Sequence, residues 1–127
     1  MRRIKFRVWD GEKIISLSKA IHRGLVGVQD NRDDAFELES FFDIVKIMQY
    51  TGLKNKNGTE IYENDIVRCN DQQGAVVVWK RYGFILDFFN NVKNIPSLWY
   101  NVESSEIEVI GNIYENPELI IYLSDDL

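Results

Sequence analysis

Beyond Gly58 the apolar residues come in runs no longer than five, such as Ala75–Trp79 and Leu119–Leu123, and Gly, Asn or Asp stands between most of them. Runs this short, rich in β-branched and aromatic residues and bounded by turn formers, suit strands rather than helices. The expected strands are Asp65–Cys69, Ala75–Trp79, Phe84–Phe88, Leu98–Val102 and Glu106–Tyr114, with turns at Asp71–Gly74 and Asn90-Asn91. Many short strands joined by tight turns point to a mainly β fold, a small barrel or sandwich. In Ala75–Trp79 the alternation can place Val76 and Val78 in the core and Val77 and Trp79 outside. In the last strand Ile107, Val109 and Gly111 share one face, and Glu108, Ile110 and Asn112 the other. Asn116-Pro117-Glu118 reads as a helix start, with Asn as cap, Pro at the first helical position and an acid in the first turn.

The N-terminal part is less uniform. Ile4, Phe6 and Val8 alternate with Lys5, Arg7 and Trp9, which predicts a strand with one wet face. Asp10-Gly11 supplies a turn, and Lys13–Leu17 returns as the second strand of a hairpin. Residues 18–35 carry two glycines and the polar stretch Gln29–Asp34, so a mobile segment is expected there. Residues 36–49 support two readings. Leu38, Phe41, Phe42, Val45 and Met48 fit a helical stripe that Asp33 or Asp34 could cap, whereas Ile44, Val45 and Ile47 are β-branched. An irregular approach followed by a strand from about Ile44 to Thr51 is the expectation. The division that follows is a β segment over residues 1–50 and a barrel unit over 51–127, packed together because no Pro/Gly/Ser linker separates them.

Two motifs are more particular than a generic hairpin requires. The first is MQYTGLKNKNGTEIYENDIV, Met48–Val67; the second is EVIGNIYENPEL, Glu108–Leu119. With the opening IKFRVWD they resemble the YopX family of phage and prophage proteins, in order, from about Arg3 to Leu119. The resemblance implies a small β-rich protein whose C-terminal part is an SH3-like barrel, in the cytoplasm of a bacterial host. It carries no established activity and no catalytic or ligand residue to transfer. This chain has Asn64 where the family commonly has Gly and Asn55 where it often has Asp, both mild changes because Asn tolerates positive φ. The residues of the first motif each have a structural task. Thr51-Gly52 ends a strand; Asn55, Asn57 and Gly58 close a turn; and Asp65 accepts backbone hydrogen bonds as an Asx turn.

Most chemistry is poorly supported. One His (His22) and one Cys (Cys69) cannot make a usual zinc site, and Asp30–Asp34 lacks the glycine and terminal Glu of a calcium loop. Cys69 alternates with Val67 and reads as a small core residue. Nothing near His22 suggests a triad, and no phosphate-binding glycine loop is present. The expectation is therefore no enzyme, no metal and no cofactor. The single cysteine fits a reducing compartment, the N-terminus lacks the apolar stretch of a signal peptide, and no apolar run could span a bilayer.

Binding remains. Trp79-Lys80-Arg81-Tyr82-Gly83-Phe84 gathers aromatics and cations in one hairpin, so Trp79, Lys80, Arg81, Tyr82 and Phe84 form the candidate binding surface. Trp9 and Trp99-Tyr100 are core or interface candidates on size alone. A protein partner, or self-association through strand edges, is the first expectation. Nucleic acid is the alternative, disfavoured by the net charge of −5. Arg2, Arg3, Lys5 and Arg7 crowd the start, but no Lys or Arg follows Lys93, while Glu103, Glu106, Glu108, Glu115, Glu118, Asp125 and Asp126 do. An acidic end could instead mimic DNA toward a DNA-binding protein.

Overall fold

The structure, a computed structural model, describes residues 4–31, 35–69, 73–80, 83–88 and 107–124. It is mainly β and antiparallel, and it divides into two compact units: Ile4–Gln49, and Tyr50–Leu127 with Met1–Arg3. The expected strand at Leu98–Val102, the turn at Asn90-Asn91, most of the Asp71–Gly74 turn, and Trp99-Tyr100 lie outside the described residues.

In the first unit β1 (Phe6–Trp9) pairs with β2 (Ile14–Ser16) and with the first half of β5 (Lys46–Lys54). The Asp10-Gly11 turn forms as expected. Gly11 sits at φ 106°, and Asp10 Oδ1 accepts the N–H groups of Glu12 and Lys13 at 2.7 and 2.8 Å. Val8 is fully buried, but Ile4, on the same parity, is exposed because it precedes the paired strand. Within residues 18–35, where a mobile segment was expected, the described residues form a helix and strands, and residues 32–34 lie outside the described residues. Ser16 caps α1 (Leu17–His22) by accepting the Lys19 N–H at 3.1 Å, and Gly24 at φ 73° follows its end. The chain continues as a hairpin of β3 (Val26–Asn31) and β4 (Ala35–Ser40). The approach to β5 is thus a strand and a loop rather than irregular chain. The helical-stripe alternative fails: Phe41, Phe42 and Ile44 form an exposed connection. Val8, Ile15, Ala20, Val26 and Val45 make the core of this unit.

In the second unit β5 runs on to Lys54, past Thr51-Gly52 where a strand end was expected, and pairs with β6 (Glu60–Tyr62). The ladder is interrupted between Tyr50 and Lys54, where Gly52 takes φ 87°. There the Thr51 hydroxyl donates to the Ile61 carbonyl at 2.7 Å and accepts the Leu53 N–H. The turn that follows is organised by Asn55, whose Oδ1 accepts the N–H groups of Asn57 and Thr59 at 2.9 Å each, with Gly58 at φ 84°.

The other sheet has the order β10–β7–β8–β9, with β7 Asp65–Cys69, β8 Gln73–Lys80, β9 Gly83–Phe88 and β10 Ile107–Asn112. It is open, with β10 and β9 at its edges among the described strands, so the closed SH3-like barrel of the sequence reading is not formed by them. The core parity of β8 is also the reverse of the expectation. Ala75 and Val77 are fully buried, and Val76 and Val78 only partly. Ala75, Val77, Leu86, Phe84, Val67, Cys69, Ile61 and Ile107 form one cluster. The alternation along β10 breaks at a bulge between Val109 and Gly111, which turns Asn112 inward. The helix expected after Asn116 is present as α2 (Pro117–Ser124). Asn116 Oδ1, however, accepts the Asn112 N–H at 3.2 Å, while the Asn116 carbonyl receives the Leu119 N–H.

The two sequence motifs meet at one corner. Asn64 adopts φ 70°; its N–H donates to the Val77 carbonyl at 2.7 Å and its own carbonyl accepts the Ile113 N–H at 3.1 Å. Asp65, almost fully buried, accepts the Tyr62 N–H at 2.7 Å. A left-handed backbone is costly for residues other than Gly and Asn, so Asn64→Gly should leave the melting temperature nearly unchanged. Asn64→Val should lose about 1–2 kcal/mol in denaturant unfolding. A second test concerns Asp10. The N–H groups of Lys13 and Glu12, then the Arg23 guanidinium 2.9 Å away, lower its carboxyl from 3.8 to about 2. The depressed value means that the turn is supported above the ordinary carboxylate range and loses that support as pH falls through about 2. NMR titration of the Glu12 and Lys13 amides should show that midpoint rather than one near 4.

Candidate functional site

The β8–β9 hairpin carries the candidate surface. Its register pairs Ala75 with Phe88, Val77 with Leu86, Trp79 with Phe84 and Lys80 with Gly83. Directly opposed residues of an antiparallel pair share a face, so Trp79 stands on the same side as buried Val77. It is nevertheless 52% exposed. The reason is the length of the neighbour: the last β7–β8 pair is Ile66 with Val76, and Asn64 has already turned away at Val77. Val78, Trp79 and Lys80 therefore extend beyond the strand that covers the rest of β8.

Phe84 is buried in the core cluster and holds the Trp79 indole edge-on, with centroids 4.8 Å apart at 69°. Such a contact favours one orientation of the ring by about 0.5–1.5 kcal/mol. Lys80, the next residue along the strand, is exposed on the opposite face, and Gly83 takes φ 132° where the hairpin returns. Arg81 and Tyr82, the other two expected members, lie outside the described residues. Of the five, the structure brings Trp79 and Phe84 together, with Phe84 as support rather than surface, and places Lys80 on the opposite face of the hairpin.

The remaining chemistry-bearing side chains are placed structurally. Cys69 is buried in the core cluster, and burial pushes its thiol from 9.0 up to about 11. His22 is exposed in the last turn of α1. Burial and then the charge of Glu63 raise the Tyr114 phenol above its usual range. Among the described residues no group of three or more His, Cys, Asp or Glu is arranged to hold a metal ion, and no helix is long and apolar enough to cross a membrane.

Sequence reasoning missed a second exposed apolar group. Phe41, Phe42 and Ile44 lie in the β4–β5 connection of the first unit. The signal was obscured because their spacing also fits one helix face. The glycine at 27, which leaves room for the Phe41 ring against β3, was the feature that could have separated the two readings.

An open antiparallel sheet and a second β unit define a small, mainly β protein. The family described as YopX protein matches residues 5–121, and the chain belongs to it. The crystal structure of protein EF1440 from Enterococcus faecalis is similar with a TM-score of 0.58 and 26% identity, over 94% of this chain and 99% of that one. The crystal structure of protein yopX from Bacillus subtilis is similar with a TM-score of 0.58 and 22% identity, over 94% of this chain and 98% of that one. No curated protein matches the sequence.

The thiol placement is testable. A buried thiol held at about 11 is almost wholly protonated at neutral pH and shielded from reagents. Cys69 should resist iodoacetamide in the folded protein and react fully in denaturant. Because the folded value is raised, the associated stability is present below pH 9.0 and is lost as pH rises toward about 11. A Cys69→Ala variant should show a shallower fall over that window.

Proposed function

We propose that this protein is a phage- or prophage-encoded accessory protein of the bacterial cytoplasm that acts by binding another protein and catalyses no reaction. The observation that carries the reading is the indole of Trp79, half exposed yet fixed edge-on against Phe84. A large aromatic held rigidly at a surface has little entropy left to lose on binding, the property that enriches Trp at binding hot spots.

The test is a pull-down from bacterial lysate with the full chain as bait, with and without nuclease, compared with Trp79→Ala. A discrete host protein should be retained after nuclease treatment, and the variant should lose most of it while keeping its melting temperature within a few degrees. Recovery that vanishes with nuclease would replace this reading by nucleic-acid binding. A tryptophan variant that captures the same protein equally well would remove Trp79 from the interface.

A further inference from the structure

We propose that the β3–β4 hairpin, with the loop that follows it, docks a protein surface that is basic and contains an apolar cleft. The inference rests on the protein-binding reading and names the chemistry of the partner, using residues of the Ile4–Gln49 unit rather than Trp79.

Charge is the first observation. Between Arg23 and Lys46 the chain has Asp30, Asp33, Asp34, Glu37, Glu39 and Asp43 against Arg32 alone. That segment holds the whole formal charge of −5, and the rest of the chain is balanced. The register puts part of this charge on one face. Gly27 pairs with Glu39 and Gln29 with Glu37, so these four share a side of the hairpin. Gln29 Nε2 donates to Glu39 Oε2 at 2.7 Å. Glu37 and Asp43 are exposed and meet no cation among the described residues.

The second observation is apolar. Phe41 lies against Gly27, on the acidic face, so close that a Cβ at 27 would collide with its ring. Phe41 and Phe42 are each 54% exposed and Ile44 60%. Phe41 lies on the carboxylate-bearing face, and two more exposed large apolar side chains follow it within three residues, surface that water solvates poorly.

The same charge selects the occupant. Nucleic acid and an anionic membrane would be repelled, and a second copy docking through the same patch would bring like charge against like. A cationic protein surface with a cleft for Phe42 and Ile44 satisfies both halves of the patch.

The experiment is an NMR titration of the full-length, isotope-labelled protein with a synthetic amphipathic Leu/Lys peptide and with its Leu/Glu counterpart. The Leu/Lys peptide should shift the amides of Gly27, Gln29 and Glu39–Ile44, more weakly as salt is added. The Leu/Glu peptide should not. Phe42→Ala should weaken the response about tenfold, and Asp43→Lys, on an exposed loop, should weaken it without altering the rest of the spectrum.

Equal response to both peptides, or response to neither, would overturn the inference. So would shifts at residues 41–44 that depend on protein concentration without peptide, because a second copy would then cover the patch. Shifts confined to Trp79–Phe88 would also overturn it while leaving the protein-binding reading intact. Failure of the pull-down alongside a positive titration would instead locate the fault in that reading.

Discussion

The sheet of the second unit is aligned by the corner at Asn64 and Asp65. One left-handed residue bonds in two directions: its N–H donates to the Val77 carbonyl on β8 and its carbonyl accepts the Ile113 N–H beyond β10. Asp65 then closes the turn from inside by accepting the Tyr62 N–H. With the corner fixed, β7 enters the sheet in one register, and all but one of its side chains are buried between its neighbours. Burial of this kind makes register slippage costly, because a one-residue shift would exchange the two faces. Asn112 supports the same corner from the other motif, its Oδ1 accepting the N–H groups of Tyr114 and Glu115.

Much of this was legible in the sequence, and for identifiable reasons. The Asp10-Gly11 turn, the Asn55–Gly58 turn, the positive φ of Asn64, the acceptor role of Asp65 and the core placement of Cys69 all follow from local chemistry that acts within a few residues. What failed depended on distant partners. The facing of Val77 was set by which side β7 and Ile61 cover, and the five-residue run Ala75–Trp79 contains no polar residue to reveal it. The helix α1 was concealed by its length, although Ser16 three residues before Lys19 and Gly24 after its end are its start and stop signals. The β3–β4 hairpin was hidden by its polar tip, which reads as loop composition. The candidate surface was legible as a cluster, but not that Phe84 would anchor Trp79, since that depends on the overhang of β8.

The motifs that mark the family are therefore architectural. Thr51, Asn55, Asn64, Asp65, Asn112 and Asn116 hold turns, a bulge or a corner through their hydrogen bonds, and a shared fold does not imply a shared partner. The exposed large apolar side chains Trp79, Phe41, Phe42 and Ile44 lie outside those motifs. Two family members could keep the corner at Asn64 intact and still present different faces, which is how one scaffold serves several tasks.

The pairing of β10 with β7 has a consequence for how the chain reaches this state. β7, β8 and β9 join across short connections, whereas β10 must return from beyond residue 106 to lie against β7, with Asn112 opposite Asp65. Contacts so far apart in sequence close slowly, after the local hairpins. Until β10 pairs, β7 is an edge strand, and Arg68, between Val67 and Cys69, is the kind of charged residue that discourages wrong pairing at such an edge. In the finished sheet the same strand is interior, and the arginine is its one side chain that is not buried.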